Sequence, residues 1–349
     1  MAKADRLKLI ASLEKARGSK VISYIGATRQ GIGYEMSQLD IRIIYDHLYQ
    51  IKKKEKIDLL INSFGGDVTF AWRLVHLIRE FSSEFNVLIP LHAFSAATLI
   101  ALGADSIVML PGSCLGPTDP QSRNVFNPSE GASKLPIQVE DIASYINFLK
   151  EDFGLKSESS FVESLKLLSQ SDNRIHPLAL GASKRGSQLA RRYAQDLLGL
   201  HMKKNSDKEK ITKIVEMFSS KLLAHDHPIN RDEAGKYGLK IKKEKPEIEG
   251  LIWELFNKYE VELQLDEFFS PITEFKKVQP NIPLSLGNQL QPKVEEISVE
   301  LAVIESVEYT DVNSQVLQVQ GLKFLDGSGN INENYSWITK KQDWERQTT

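Results

Sequence analysis

Two stretches of the sequence interrupt an apolar run with small residues, as chemistry at a strand-to-helix turn requires. The first is Leu59-Leu60-Ile61-Asn62-Ser63-Phe64-Gly65-Gly66-Asp67-Val68-Thr69. The second is Pro90-Leu91-His92-Ala93-Phe94-Ser95-Ala96-Ala97-Thr98-Leu99-Ile100. In each, a run short enough to be a buried strand gives way to a turn and then to a helical pattern. Such turns let backbone N–H groups or a short nucleophilic side chain project into a site. Adjacent Gly65 and Gly66 let the backbone approach a substrate without interference from Cβ. Ser95 offers a short hydroxyl among Ala93, Ala96 and Ala97. Together they suggest an oxyanion hole and a nucleophile, the parts that acyl transfer needs when charge develops on a carbonyl oxygen. A serine at a helix start is also an ordinary N-cap; beside the glycine turn, the nucleophile is the favoured reading.

The elements that must position these turns are legible from periodicity. A helix is predicted over residues 5–17, a strand over 21–25, a helix over 36–50 and a strand over 57–61. A helix over 68–81, a strand over 86–91, a helix over 95–102 and a strand over 106–110 follow. Strands alternating with helices at this spacing argue for βαβ units and parallel pairing. Residues 122–138 are polar and rich in Gly, Ser and Pro, and read as an exposed loop. Helices are then expected over 139–153, 159–171, 178–204 and 207–224, with a short one at 231–238 closed by Gly238. Another is expected over 247–260. Residues 268–292 read as an irregular linker, 297–325 as a small antiparallel sheet, and the last dozen residues as frayed. The implied division is a first domain at 1–245, a helix and linker arm at 246–292 and a small β-rich region at 293–349.

Composition narrows the function class. The chain has 349 residues with 44 basic and 46 acidic side chains, a net charge of -2. That balance gives no general pull toward nucleic acid or an anionic membrane surface. The basic run Lys52-Lys53-Lys54 reads as a solvated helix end. The single cysteine, Cys114, excludes an intramolecular disulfide and fits a reducing compartment. No signal peptide or membrane-spanning run is evident, so a cytoplasmic location is expected. No spacing of His, Cys or acidic residues suggests a metal site, no phosphate-binding Gly-Lys-Ser/Thr loop occurs, and no cofactor is expected. His47, His76, His92 and His201 fall within helix or strand patterns and read as structural.

The ordered set of motifs resembles the Clp protease proteolytic subunit and its crotonase-fold relatives, and more closely the serine dehydrogenase proteinase family of Clp-fold serine proteinases. Beyond the two turns, the resemblance rests on Trp72-Arg73-Leu74-Val75, Leu102-Gly103-Ala104-Asp105 and Leu115-Gly116-Pro117-Thr118-Asp119-Pro120. It extends through His176-Pro177-Leu178-Ala179-Leu180-Gly181 and His225-Asp226-His227-Pro228-Ile229-Asn230-Arg231-Asp232-Glu233-Ala234. It implies an α/β, Clp/crotonase-like spiral of ββα units with additional helices. It further implies a serine endopeptidase acting on peptides or unfolded protein, and a homo-oligomer. Ser95 matches the family nucleophile, Gly65-Gly66 the oxyanion turn, with the Ala96 N–H as a further donor, and Asp226 the triad aspartate. Thr118 stands where the Clp histidine would be.

A serine hydroxyl needs a group to take its proton. His225 and His227 flank Asp226, His176 precedes Pro177 at a helix start, and Asp119 adjoins Thr118. A Ser–Lys dyad would use Lys134 or Lys184. Each of these also suits a surface or capping role. Two other functions stay open: a non-catalytic, peptide-binding scaffold of the same fold, and crotonase-like acyl-CoA chemistry, which uses the same paired donors but has no need of a serine at position 95.

Overall fold

The computed structural model describes residues 2–51, 55–118, 125–130, 133–135, 137, 139–170, 175–221, 227–285 and 292–347. In chain order, α1 (Ala2–Arg17) and β1 (Lys20–Gly26) lead into α2 (Asp40–Gln50), β2 (Glu55–Asn62), α3 (Val68–Phe81) and β3 (Ser82–Ile89). A two-residue β4 (His92–Ala93) precedes α4 (Ala96–Leu102), β5 (Ser106–Met109) and β6 (Cys114–Leu115). A minimal hairpin, β7 (Ser129–Glu130) and β8 (Ser133–Lys134), comes before α5 (Val139–Glu151), α6 (Glu158–Gln170), α7 (Pro177–Gly199) and α8 (Asp207–Glu216). A π-helical turn, Met217–Lys221, follows α8. The chain continues through β9 (Ile229–Asn230), α9 (Arg231–Tyr237), β10 (Ile241–Lys242), α10 (Pro246–Leu263), α11 (Pro271–Val278) and β11 (Leu284–Ser285). It closes with β12 (Lys293–Glu305), β13 (Thr310–Leu325) and β14 (Ile331–Arg346).

β10, β5, β3, β2 and β1 lie side by side and parallel, and β12 and β13 continue the same sheet antiparallel from the β1 edge. Alternate strand residues face opposite layers, as the two-residue repeat demands. Ile57, Leu59 and Ile61 of β2 join Phe70, Leu74 and Ile78 of α3 on one side. Leu60, with Val21, Leu88 and Val108 of the neighbouring strands, packs on Ile10 and Leu13 of α1 and Ile252 and Leu255 of α10 on the other. A strand covered on both faces is apolar wherever no partner compensates a polar group, which is why Leu59-Leu60-Ile61 shows no polar alternation. Asp58, fully buried, is compensated by Arg17, Ser19 and Asn86.

Within the expected exposed loop 122–138, the β7–β8 hairpin forms and Asn127 and Ile137 are buried, and three further segments depart from the expectation. The helix predicted from residue 36 starts at Asp40, whose carboxylate accepts the Ser37 N–H at 2.9 Å and holds residues 34–37 out of the helix. Pro271–Val278 is helical within the expected linker, capped by Ser270 and buried through Phe275. The C-terminal stretch is not frayed: β14 pairs with β13 from Asp311–Arg346 to Leu325–Ile331. Its sequence is polar because nearly every residue is exposed, so no alternation marks it; the pairing with β13 supplies the order.

Candidate active site

The glycine turn is built at the C-terminal end of β2. Fully buried Ser63 bridges to β4 through Ser63 N–H to His92 O and Phe94 N–H to Ser63 O, both 3.0 Å, while the His92 N–H donates to Asn62 Oδ1 at 2.9 Å. Ser63 Oγ then accepts the Gly65 N–H at 3.0 Å. Both glycines have positive φ, +109° for Gly65 and +149° for Gly66. A Cβ on Gly65 would lie 2.8 Å from Phe94 O and from Ser95 Cβ, and 3.0 Å from the Ala96 nitrogen. The first turn is therefore pressed against the second. On its other side, Met36 forms a parallel bridge with Gly66: its N–H donates to Gly65 O and its carbonyl accepts the Asp67 N–H, each at 2.9 Å.

The consequence is an inventory of donors. The Gly65 N–H is committed to Ser63, so Gly65 supplies room rather than a free donor. The N–H groups of Gly66 and Ala96 find no acceptor among the described residues. Ser95 has φ 52° and ψ −114°, and its side chain makes no capping bond. It occupies the N-cap position of α4 without doing an N-cap's work. A non-glycine residue held in such a region costs on the order of 1–3 kcal/mol, and the surroundings must impose it. Here they do so: Thr98 Oγ1 lies 2.6 Å from Ala93 O and 2.9 Å from Gly116 O, and the far end of α4 is held by Arg79 donating to Gly103 O at 2.7 Å.

A small second sheet decides what else reaches Ser95. β6 pairs parallel with β4 and antiparallel with β9, in the rows His92–Cys114–Asn230 and Ala93–Leu115–Ile229. Ser95 lies just beyond the end of β4. Parallel β6 sends Gly116, Pro117 and Thr118 to that same end, and antiparallel β9 brings Pro228 and His227 to it from the opposite direction. Thr118 is fully buried, its N–H donating to Phe218 O at 2.8 Å in the π-helical turn.

His227, half-buried, has Nε2 3.6 Å from Glu233 Oε1, too long for a hydrogen bond. Asp119, His225 and Asp226 lie outside the described residues. His176 caps α7, its Nδ1 accepting the Leu178 N–H at 3.1 Å, and its ring stacks on Phe126. Lys134 donates to Asn127 O at 3.0 Å within the β7–β8 hairpin, and Lys184 is exposed on α7. Among the described residues, no side chain is hydrogen-bonded to Ser95 Oγ. None forms a cluster of three or more potential metal ligands, and no helix among those residues is long and apolar enough to cross a membrane.

Beside the turns, the half-exposed Phe64 ring stacks on Phe94 at 5.7 Å and lies 5.4 Å from His92, giving the site an aromatic wall. His92 Nδ1 is 3.5 Å from Cys114 Sγ. Burial lowers the pKa of His92 and raises that of Cys114, so both are held neutral near pH 7. Sequence reasoning missed Met36, Ser63 and Thr98 as parts of the site. Ser63 and Thr98 stand inside the quoted motifs, but a hydroxyl's partner is a matter of geometry. Met36 carries no signal at all, because it acts through its backbone.

The chain is similar in part to known proteins. Residues 1–142 match the family described as ClpP-like SDH-type serine proteinase. An uncharacterized protein of Methanocaldococcus jannaschii is 26% identical over 265 residues, 72% of this chain and 78% of its own. A second from the same organism is 33% identical over 122 residues, 33% of this chain and 42% of its own. Among solved structures, a ClpP1 mutant from Listeria monocytogenes aligns with TM-score 0.35 and 14% identity over 68% of this chain and 99% of its own. A mutant of the 1510-N membrane-bound stomatin-specific protease aligns with TM-score 0.35 and 17% identity over 69% and 85%. The architecture is α/β, with a large mixed sheet and a C-terminal β-rich region, and its first 142 residues are those that match the ClpP-like family.

Proposed function

We infer that this chain, whose residues 1–142 match the family model of the ClpP-like SDH-type serine proteinases, is a serine endopeptidase working through Ser95. Ser95 Oγ attacks the scissile carbonyl carbon, and the developing oxyanion sits between the N–H groups of Gly66 and Ala96. Gly65, lacking a Cβ, leaves space for it. The tetrahedral species collapses with expulsion of the amine, which takes the proton first removed from the serine, and water then hydrolyses the resulting ester. The observation that carries this reading is the combination at one point of a strained serine, an uncommitted hydroxyl and two unfilled backbone donors. Preorganised donors of this kind contribute about 3–4 kcal/mol each to acyl transfer.

We place the proton acceptor in the chain that runs directly beyond Thr118 or directly before Ile229, which makes Asp119, His225 and His227 the candidates and Asp226 the orienting acid. The topology of β4, β6 and β9 supports this choice, since both segments start at the Ser95 end of that sheet. His176 ranks lower because its Nδ1 is spent on its own helix. The substrate class is peptides or unfolded protein segments, with Phe64 and Phe94 offering an aromatic wall to an apolar side chain. The working form is a homo-oligomer in the cytoplasm, and the reaction draws its nucleophile, donors and base from the chain without a cofactor.

The second reading, a peptide-binding scaffold of this fold, is favoured by the lack, among the described residues, of a base bonded to Ser95. Acyl-CoA chemistry is disfavoured, because the strained conformation of Ser95 has no role in stabilising a thioester enolate. Turnover of a fluorogenic peptide series separates the first two. Hydrolysis that is lost in Ser95→Ala supports the peptidase; binding without hydrolysis in both proteins supports the scaffold.

A further inference from the structure

The C-terminal hairpin has an unexpected connection to the glycine turn. Trp344 of β14 donates its indole N–H to Asp40 Oδ1 at 2.9 Å and sets its ring edge-on to Tyr34 at 5.8 Å. Asp40 is fully buried, and no cation pairs with it among the described residues. Its carboxylate is satisfied instead by five donors: Trp344, the hydroxyls of Tyr24, Tyr34 and Ser37, and the Ser37 N–H. Those bonds keep residues 34–37 out of α2 and lay Met36 along Gly65 and Gly66. Contact there is so close that a Cβ on Gly66 would fall 2.3 Å from Met36 O and 2.4 Å from Met36 N. From the hairpin to the glycine turn there is thus an unbroken series of bonds, Trp344 to Asp40 to Ser37, then along the backbone to Met36 and across to Gly65 O and the Asp67 N–H on either side of Gly66.

We propose that Trp344 and Asp40 are positioning residues, and that the C-terminal hairpin holds the glycine turn in its donor geometry through the Met36 bridge. The catalytic consequence rests on the reading of Gly66 as an oxyanion donor; the mechanical coupling does not. A buried carboxylate that loses one of several donors must redistribute the others, so the effect of removing Trp344's N–H falls first on Ser37 and Met36.

The test uses the full chain and Trp344→Phe, which keeps a ring against Tyr34 and deletes the indole donor. Trp337→Phe, at an exposed position on the same strand, is the control. Amide hydrogen exchange is followed at Met36 and Asp67, the two N–H groups of the bridge. Exchange about tenfold faster at both in Trp344→Phe, with none in Trp337→Phe, is the expected result. Unchanged exchange at both amides in Trp344→Phe, or equal acceleration in the control, overturns the coupling. If Trp344→Phe does not fold, Ser37→Ala removes a different donor to the same carboxylate and is read in the same way. In parallel, the second-order rate of labelling by a fluorophosphonate is measured, and about a tenfold loss confined to Trp344→Phe is expected. Wild-type protein that takes no label defeats the nucleophile reading, while exchange still decides the coupling.

Discussion

The conformation of Ser95 makes a prediction about stability that needs no substrate. Replacing Ser95 by Ala removes an Oγ with no hydrogen-bond partner among the described residues, so it changes stability by no more than about 0.5 kcal/mol. It keeps the Cβ, and with it the strain of φ 52°. Replacing Ser95 by Gly removes that strain, worth about 1–3 kcal/mol, and adds unfolded-state freedom that costs about 0.5–1 kcal/mol. Ser95→Gly should therefore be at least as stable as Ser95→Ala, by up to about 2.5 kcal/mol, a rise in melting temperature of up to roughly 5 °C for a chain of this size. Both variants lack the nucleophile, so autolysis and substrate protection do not confuse the comparison. Calorimetric melting of the two, side by side, is the assay. A Ser95→Gly protein that melts below Ser95→Ala would show that the turn stores no strain, and the argument that the fold holds this serine against its preference for the sake of function would fail.

Other perturbations follow from the same geometry. Gly66→Ala drives a Cβ into the Met36 backbone, so peptide turnover should fall by about 10²–10³ with a lower melting temperature; kcat retained within about threefold removes Gly66 from the donor pair. Ser63→Ala leaves the Gly65 N–H without its acceptor and should cost about 1–3 kcal/mol in urea unfolding; no change would mean that the turn holds itself. Burial alone would raise the pKa of Asp311, but the bonds from His47 and Arg346 outweigh it and bring the group below its ordinary value. Its contribution is then complete above about pH 4 and is lost as pH falls through the lower folded value. Below pH 4 the wild-type melting temperature should drop more steeply than that of Asp311→Asn; parallel curves would deny the pair a role in holding α2 to β13 and β14.

What could be read from the sequence was what local pattern determines. Buried strands such as β2 announce themselves by apolar runs, here Leu59-Leu60-Ile61, α3 by Phe70, Leu74 and Ile78 at helical spacing, and Gly238 by its place after a short helix, where it adopts the left-handed conformation. Gly65, Gly66 and Ser95 were legible as types, and the structure adds which N–H groups are spent and which are not. What was illegible depends on long-range pairing. β14 is polar because it is an edge strand, so its order comes from β13 and from Trp344 meeting a carboxylate 304 residues earlier in the chain. Met36 follows the periodicity of α2 and leaves it only because Asp40 binds the Ser37 N–H. The meeting of β4, β6 and β9 involves strands of two residues each, too short to carry any periodicity.

The most direct test of Ser95 as an activated nucleophile is covalent. Purified protein is treated with a fluorophosphonate, the intact mass is recorded, and the modified peptide is sequenced by tandem mass spectrometry. The account predicts a single adduct on Ser95, absent from Ser95→Ala and from heat-denatured protein. An unlabelled wild-type protein across pH and protein concentration, or an adduct on another residue with Ser95 untouched, would contradict it.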